Sequence, residues 1–281
     1  MSNFYGLIGE KLGHSFSPKI HNLILKNTNS NSLYNLFEIK REDLKTAVYG
    51  LKALGAIGVN VTIPYKIKII EYLDMLSHEA KKIGAVNTVS FNKGKLKGYN
   101  TDYNGFGETL KKTNISVKNR NAVILGTGGV SKAVVQYLAD NDINEVVFVS
   151  REPKKANHTR DFKVISYDDI ENLKNQDLII NCTPCGMHPN IYDCPVDKNV
   201  VSKFSSAIDL IYNPSETTFL KYASQIGVKN VNGLYMLIAQ AVASHEIWHG
   251  VKIKNQLVDE IYNKLKQTIV KEDNNCNVYS K

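Results

Sequence analysis

No apolar run in the sequence is long enough to span a bilayer, and the opening stretch MSNFYGLIGEKLG has no basic segment followed by an apolar one. Neither a membrane helix nor a secretory leader is expected, and a cytoplasmic location follows as the expectation. Cysteine is scarce, with 4 in 281 residues, too few for a disulfide framework. Cys182 and Cys185 in CTPC have the C-x-x-C spacing of a redox pair or half a zinc site, with Cys194 and His188 close in sequence. A second well-spaced ligand pair is missing, so reduced thiols and no metal are expected. Acidic residues are outnumbered, 27 Asp and Glu against 35 Lys and Arg, giving a net charge of +8. The lysines are scattered, and the densest groups, KGKLKG and REPKK, lack the interleaved aromatics of a base-stacking surface. No nucleic-acid partner is expected; a basic surface also attracts anionic substrates and cofactors. No internal repeat is visible.

What is present is an alternation of short strands and helices. NFYGLIG, LYNLFEI and GVNVTI read as strands. SPKIHNLILKN reads as a helix capped by Ser17 with Pro18 in its first turn, and REDLKTAVYGLKAL as a second helix. YKIKIIEYLDML and SHEAKKI read as helices, and AVNTVSF and KLKGYN as a hairpin around NKG. This predicts an α/β layer with a mainly parallel sheet. After a linker helix at 101–112 the pattern restarts: strands NAVILG, EVVFVS, DLIINCT and SAIDLIY, with helices VSKAVVQYLADN and ETTFLKYASQIG, predict a doubly wound unit. GLYMLIAQAVASHEIWHG reads as a long apolar helix packing back on the first unit, and KEDNNCNVYSK as a polar, frayed tail.

LGTGGVSKA follows a predicted strand and opens a predicted helix, the context a dinucleotide loop requires. Gly126 permits the tight turn, while Gly128 and Gly129 let backbone amides approach a pyrophosphate at the helix N-terminus. Ser131 takes the usual third-glycine position, and Ala133 supplies a small residue. At the end of the next strand an NAD site places an acid, but here stand Ser150, Arg151, Lys154 and Lys155. Arg151 and Lys155 offer charge to a 2′-phosphate, which favours NADP over NAD, and Glu152 opposes it. The same stretch also fits a solvated charged loop.

In GVNVTIPYK, alternation puts Val59, Val61 and Ile63 on one side and Asn60 and Thr62 on the other, with Lys66 just past the strand. A solvated strand-end lysine would fit as well. Yet Ser15, Ser17, Asn87 and Asp102 also fall at strand ends, where ligands of open α/β sheets gather. Short hydroxyls, amides and one Lys–Asp pair suit a small polyhydroxylated ligand.

Taken in order, GHSFSPKIHN, GVNVTIPYK, GAVNT, GYNTDYNGF, GTGGVSKA, NCTPCGM, DLIYNPSETTFL and NGLYMLIAQA resemble the shikimate dehydrogenases over nearly the whole chain. The resemblance implies reversible NADPH-dependent reduction of 3-dehydroshikimate to shikimate in aromatic amino-acid biosynthesis. It implies an N-terminal α/β substrate and catalytic domain at 1–101 plus 237–270, a Rossmann-type NADP-binding domain at 102–236, and a flexible tail at 271–281. Ser15 and Ser17 would hold the substrate carboxylate with Tyr212, and Asn60, Thr62, Asn87, Asp102 and Gln240 the ring hydroxyls. Gly126, Thr127, Gly128, Gly129 and Val130 would cradle the pyrophosphate, and Ser150, Arg151 and Lys155 would meet the adenosine phosphate. Thr183, Leu210, Gly233 and Met236 would line the ribose and nicotinamide. Ser150 stands where the family usually has asparagine, and Glu152 where a threonine is common. Lys66 would donate the proton that a reduced ketone requires, oriented by Asp102.

Rival readings are a quinate/shikimate dehydrogenase using NAD, a two-domain dehydrogenase of methylene-folate type, and a silent NADP-binding sensor. The folate type does not explain the paired serines. The sensor would be marked by loss of Lys66 or Asp102, and both are present. A monomer and a homodimer fit equally.

Overall fold

The structure is a computed structural model that describes residues 4–13, 15–28, 30–156, 162–174 and 176–278, with 270–278 by backbone alone. His14 of the GHSFS motif and tail residues 279–281 lie outside the described residues. Two compact units are present: residues through Phe106 with Leu237–Ile261, and Gly107–Met236 with the chain from Tyr262 on.

The first unit carries strands β1 (Phe4–Gly9), β2 (Leu33–Glu38), β3 (Gly58–Val61), β4 (Met75–Leu76), β5 (Thr88–Asn92) and β6 (Lys95–Tyr99) in the order β2-β1-β3-β5-β6-β4. Strand β1 runs parallel to β2 and β3, and β4 runs parallel to β6. β5 is antiparallel to both β3 and β6. The reversal between β5 and β6 follows from Lys93 and Gly94, whose φ of 47° and 76° make a two-residue hairpin turn of the twist that adjacent strands need. Helices α1 (Ser17–Asn27), α2 (Leu44–Ala53) and α3 (His78–Ile83) cover the sheet. Val59, Val61, Ile69, Val86 and Val89 form the buried core beneath α2.

Three local expectations change. Ser17 is the first residue of α1 rather than its cap; the Ser15 hydroxyl accepts the Ser17 N–H at 3.2 Å instead. Ile63 is 76% exposed, because the strand ends at Val61 and a turn closed by Tyr65 N–H on the Thr62 carbonyl redirects the chain. YKIKIIEYLDML holds only a 3₁₀ turn at Lys68–Tyr72. Asp74 then exchanges bonds with Leu96 through its backbone N–H and its carboxylate, which draws Met75–Leu76 out as an edge strand.

Helix α4 (Thr101–Lys112) leads into the second unit, whose strands are β7 (Asn121–Leu125), β8 (Glu145–Val149), β9 (Lys163–Ile165), β10 (Leu178–Asn181), β11 (Ser206–Asp209) and β12 (Lys229–Val231). Their order is β12-β11-β10-β7-β8-β9 and every pairing is parallel, the doubly wound arrangement. β10 and β11 are buried along their whole length, as strands covered on both faces must be. Helices α5 (Gly129–Asp140), α6 (Lys198–Val201) and α7 (Thr218–Gln225) belong to this unit.

The chain then returns through α8 (Leu234–His249). Trp248 stacks on Tyr5 at 4.8 Å and donates its Nε1–H to the Val89 carbonyl at 3.0 Å, so the C-terminal half of α8 completes the first unit's core. Helix α9 (Asn255–Val278) runs on through Lys271, where a frayed tail was expected. Its later part groups with the second unit, where Tyr262 meets Tyr235 edge-on at 5.5 Å.

Candidate active site

In the first unit, β3 and its turn deliver Lys66, and the first turn of α4 delivers Asp102. Lys66 Nζ lies 2.6 Å from Asp102 Oδ2, with side chains only 16% and 10% exposed. The other carboxylate oxygen accepts Asn87 Nδ2–H at 2.9 Å. Asn87 is itself fixed, because its Oδ1 accepts the Thr101 N–H at 2.7 Å and the Thr88 hydroxyl at 3.0 Å. Both carboxylate oxygens therefore have set partners, and the lysine is aimed by a chain of buried hydrogen bonds rather than by its flexible stem.

Asn60 lies within the same network. Its Oδ1 accepts the Tyr34 hydroxyl at 2.9 Å, and its Nδ2 is shared among Ser244 Oγ at 2.9 Å, Thr88 Oγ1 at 3.0 Å and the Asn87 carbonyl at 3.3 Å. The amide braces Asn87 and Thr88 from below. Tyr34 is buried, and the Ser17 side chain is also hydrogen-bonded to its hydroxyl. Ser15, Ser17 and half-buried Thr62 thus lie on the same unit as Lys66 and Asp102. Gln240 Oε1 reaches Thr101 Oγ1 at 3.4 Å and Asn87 Nδ2 at 3.5 Å. Tyr212 belongs to the second unit. No sequence motif marks Tyr34, Thr88, Thr101 or Ser244 as part of this network. Thr88 and Thr101 were adjacent to named residues, whereas nothing in the apolar α8 run marked Ser244.

In the second unit the turn after β7 has the shape a pyrophosphate needs. Gly126 has φ +93°, and a Cβ there would lie 2.7 Å from Thr183 Cγ2. A Cβ on Gly128 or Gly129 would meet nothing within 4 Å, and Gly128 caps α5 without a side chain. Thr127 and Val130 flank this open helix end, whose unpaired N–H groups favour an anion. Ser131 Oγ–H donates to the Gly128 carbonyl at 2.7 Å and holds the turn. At the end of β8, Ser150 Oγ accepts the Glu152 N–H at 3.1 Å, Arg151 is exposed, and Lys155 pairs with Glu152 at 2.5 Å. Leu210 and Gly233 are in close contact, since a Cβ on Gly233 would lie 2.1 Å from the Leu210 carbonyl oxygen. Met236 is buried in the first turn of α8.

The thiols of Cys182 and Cys194 are held protonated by burial. Burial pushes the Cys182 thiol far up and Cys194 up to about 11. Among the described residues no group of three His, Cys, Asp or Glu could hold a metal ion, and no helix is long and apolar enough to cross a membrane.

A wholly parallel sheet with a glycine turn opening its first helix, on one chain with a part-buried Lys–Asp pair set among amides and hydroxyls, defines a dinucleotide-dependent oxidoreductase. Residues 7–89 match the shikimate dehydrogenase substrate binding domain, and residues 108–192 match shikimate / quinate 5-dehydrogenase. A shikimate dehydrogenase (NADP(+)) of Clostridium perfringens is 46% identical over 93% of this chain and 98% of the relative. A chorismate mutase/shikimate 5-dehydrogenase fusion protein from Clostridium acetobutylicum superposes with a TM-score of 0.93 at 52% identity, covering 96% of this chain and 99% of that one. A shikimate 5-dehydrogenase from Thermus thermophilus, solved with NADP(H) and shikimate, gives a TM-score of 0.84 at 30% identity, covering 93% and 99%. The chain belongs to the shikimate dehydrogenase family.

Proposed function

We propose that the protein reduces 3-dehydroshikimate to shikimate with NADPH, reversibly, in the shikimate pathway of aromatic amino-acid biosynthesis. The observation that carries this is the Lys66–Asp102 pair at 2.6 Å, held by Asn87 within a buried network of amides and hydroxyls. A ketone that gains a hydride at carbon leaves negative charge on oxygen, and one proton must follow. NADPH supplies the hydride when bound. Lys66 gives the proton from Nζ to the ketone oxygen, and in the reverse direction takes it from the hydroxyl. Asp102 keeps the ammonium group in place and balances its charge, and Asn87 keeps Asp102 from rotating. Ser15 and Ser17 hold the substrate carboxylate, while Thr62, Asn87, Asp102 and Gln240 meet ring hydroxyls and Asn60 fixes Asn87 and Thr88. The first unit is the substrate-binding and catalytic one. Gly126 to Val130, Ser150, Arg151, Lys155, Thr183, Leu210, Gly233 and Met236 of the second unit bind the nucleotide. The protein works in the cytoplasm as a monomer or homodimer.

Initial rates with shikimate, running NADP and NAD side by side and then quinate for shikimate, test the reading. Rapid reduction of NADP with shikimate is expected; preference for NAD and quinate would instead assign the quinate-type activity. Lys66→Ala should lower turnover by about 10²- to 10⁴-fold, the usual worth of a general acid, with NADP affinity unchanged in direct titration. Near-native turnover in that variant would remove Lys66 from the proton step.

A further inference from the structure

We propose that Asn181 and Asp209 are positioning residues that set the nicotinamide end of the cofactor site in the second unit. They are the last residues of β10 and β11, face each other in register, and are fully buried. Asn181 Nδ2–H donates to Asp209 Oδ1 at 3.0 Å. From this pair, hydrogen bonds run outward to both strand-end segments. Asn181 Oδ1 accepts the Thr183 hydroxyl at 2.7 Å and the Thr183 N–H at 3.0 Å, and Thr183 Oγ1 accepts the Cys185 N–H at 3.2 Å. Asp209 Oδ1 accepts the Ile211 N–H at 3.0 Å, and Oδ2 accepts the Thr217 hydroxyl at 2.6 Å. Thr217 in turn caps α7 through the Leu220 N–H at 3.3 Å.

Two buried side chains thus fix the backbone on either side of Thr183 and of Leu210, and Thr183 lies against the Gly126 turn. Ser150 and Arg151 follow β8, on the far side of β7, and take no part in these bonds. A buried carboxylate bonded by three donors has no apolar reason to be there, and its bonds all serve the two segments at one end of the cofactor site. The proposal rests on the cofactor reading above.

Direct titration of the full-length protein with NADP and with 2′,5′-ADP, which keeps only the adenosine phosphate end, separates positioning from general damage. Asp209→Asn puts an amide hydrogen where every neighbour already donates. It should weaken NADP by about tenfold or more and leave 2′,5′-ADP within about twofold, the loss of one or two buried hydrogen bonds. Asn181→Ser, which leaves Asp209 its bonds to Ile211 and Thr217, is the second variant should Asp209→Asn fail to fold, and the same split is expected. Equal loss of both ligands, or loss of neither, overturns the proposal. Wild-type protein that binds neither ligand overturns the cofactor reading and the proposal with it.

Discussion

At Lys155 two anions compete for one ammonium group. The Glu152 carboxylate holds it at 2.5 Å, both side chains are largely exposed, and a 2′-phosphate would need the same charge. An exposed pair of this kind is weak and is screened by salt, so phosphate can displace it, but the displaced carboxylate remains nearby. Glu152→Gln should therefore tighten NADP by roughly threefold and leave NAD almost unchanged, with the gain shrinking at high salt. Titration of both nucleotides at two salt concentrations checks this, and an equal change for NAD would show that Glu152 does not act on the phosphate. This competition was legible in sequence because Ser150, Arg151, Glu152 and Lys155 are chain neighbours. The bracing of Asn60 was not, since Ser244 joins it from 184 positions away and Tyr34 from 26. Hydroxyls that act by bracing other polar groups carry no local pattern of their own.

Among the elements, β3 and α8 show how closely the site is tied to packing. Gly58 opens β3, and a Cβ there would lie 2.0 Å from Trp248 Nε1, inside the ring that stacks on Tyr5 and bonds Val89. Gly58→Ala should cost about 1–3 kcal/mol or more, because neither the indole nor the strand can move without breaking a partner. Urea unfolding would measure it, and a change below a few tenths would mean that Trp248 has room to turn. Buried strands such as NAVILG and the hairpin around NKG could be read from pattern, since burial and turn chemistry act locally. The stretch YKIKIIEYLDML could not. Its helical spacing of apolar residues loses to the bonds between Asp74 and Leu96, which only the folded sheet supplies.

For the molecule as a whole, buried ionisable groups predict how stability follows pH. His21 and His245 share a 2.9 Å bond between their rings, and burial holds His21 well below the usual imidazole value of 6.5 and His245 down to about 3. The unfolded chain binds protons at both rings before the native one does, so this pair makes stability rise with pH up to 6.5. Burial pushes Asp209 the other way, from 3.8 up to about 7, so its contribution falls as pH rises across that span. Two rings outweigh one carboxyl, so stability should climb with pH on the acid side. The climb should end near pH 6.5. His245→Gln should flatten it, as measured by urea unfolding across that range; an unchanged slope would mean that the rings are not the groups titrating.

The return of α8 has one more consequence, for a chain still being made. A ribosome delivers Tyr5, Asn60 and Val89 long before Trp248 and Ser244, and it finishes the strands β7 to β12 in between. The carboxyl-side sheet is therefore complete while the amino-side sheet still lacks its last helix. Until α8 emerges, Gly58 lacks the indole that packs over it, and the Asn60 amide lacks its serine partner. A nascent chain cut short of that helix is prey for proteases and chaperones, not a smaller working enzyme.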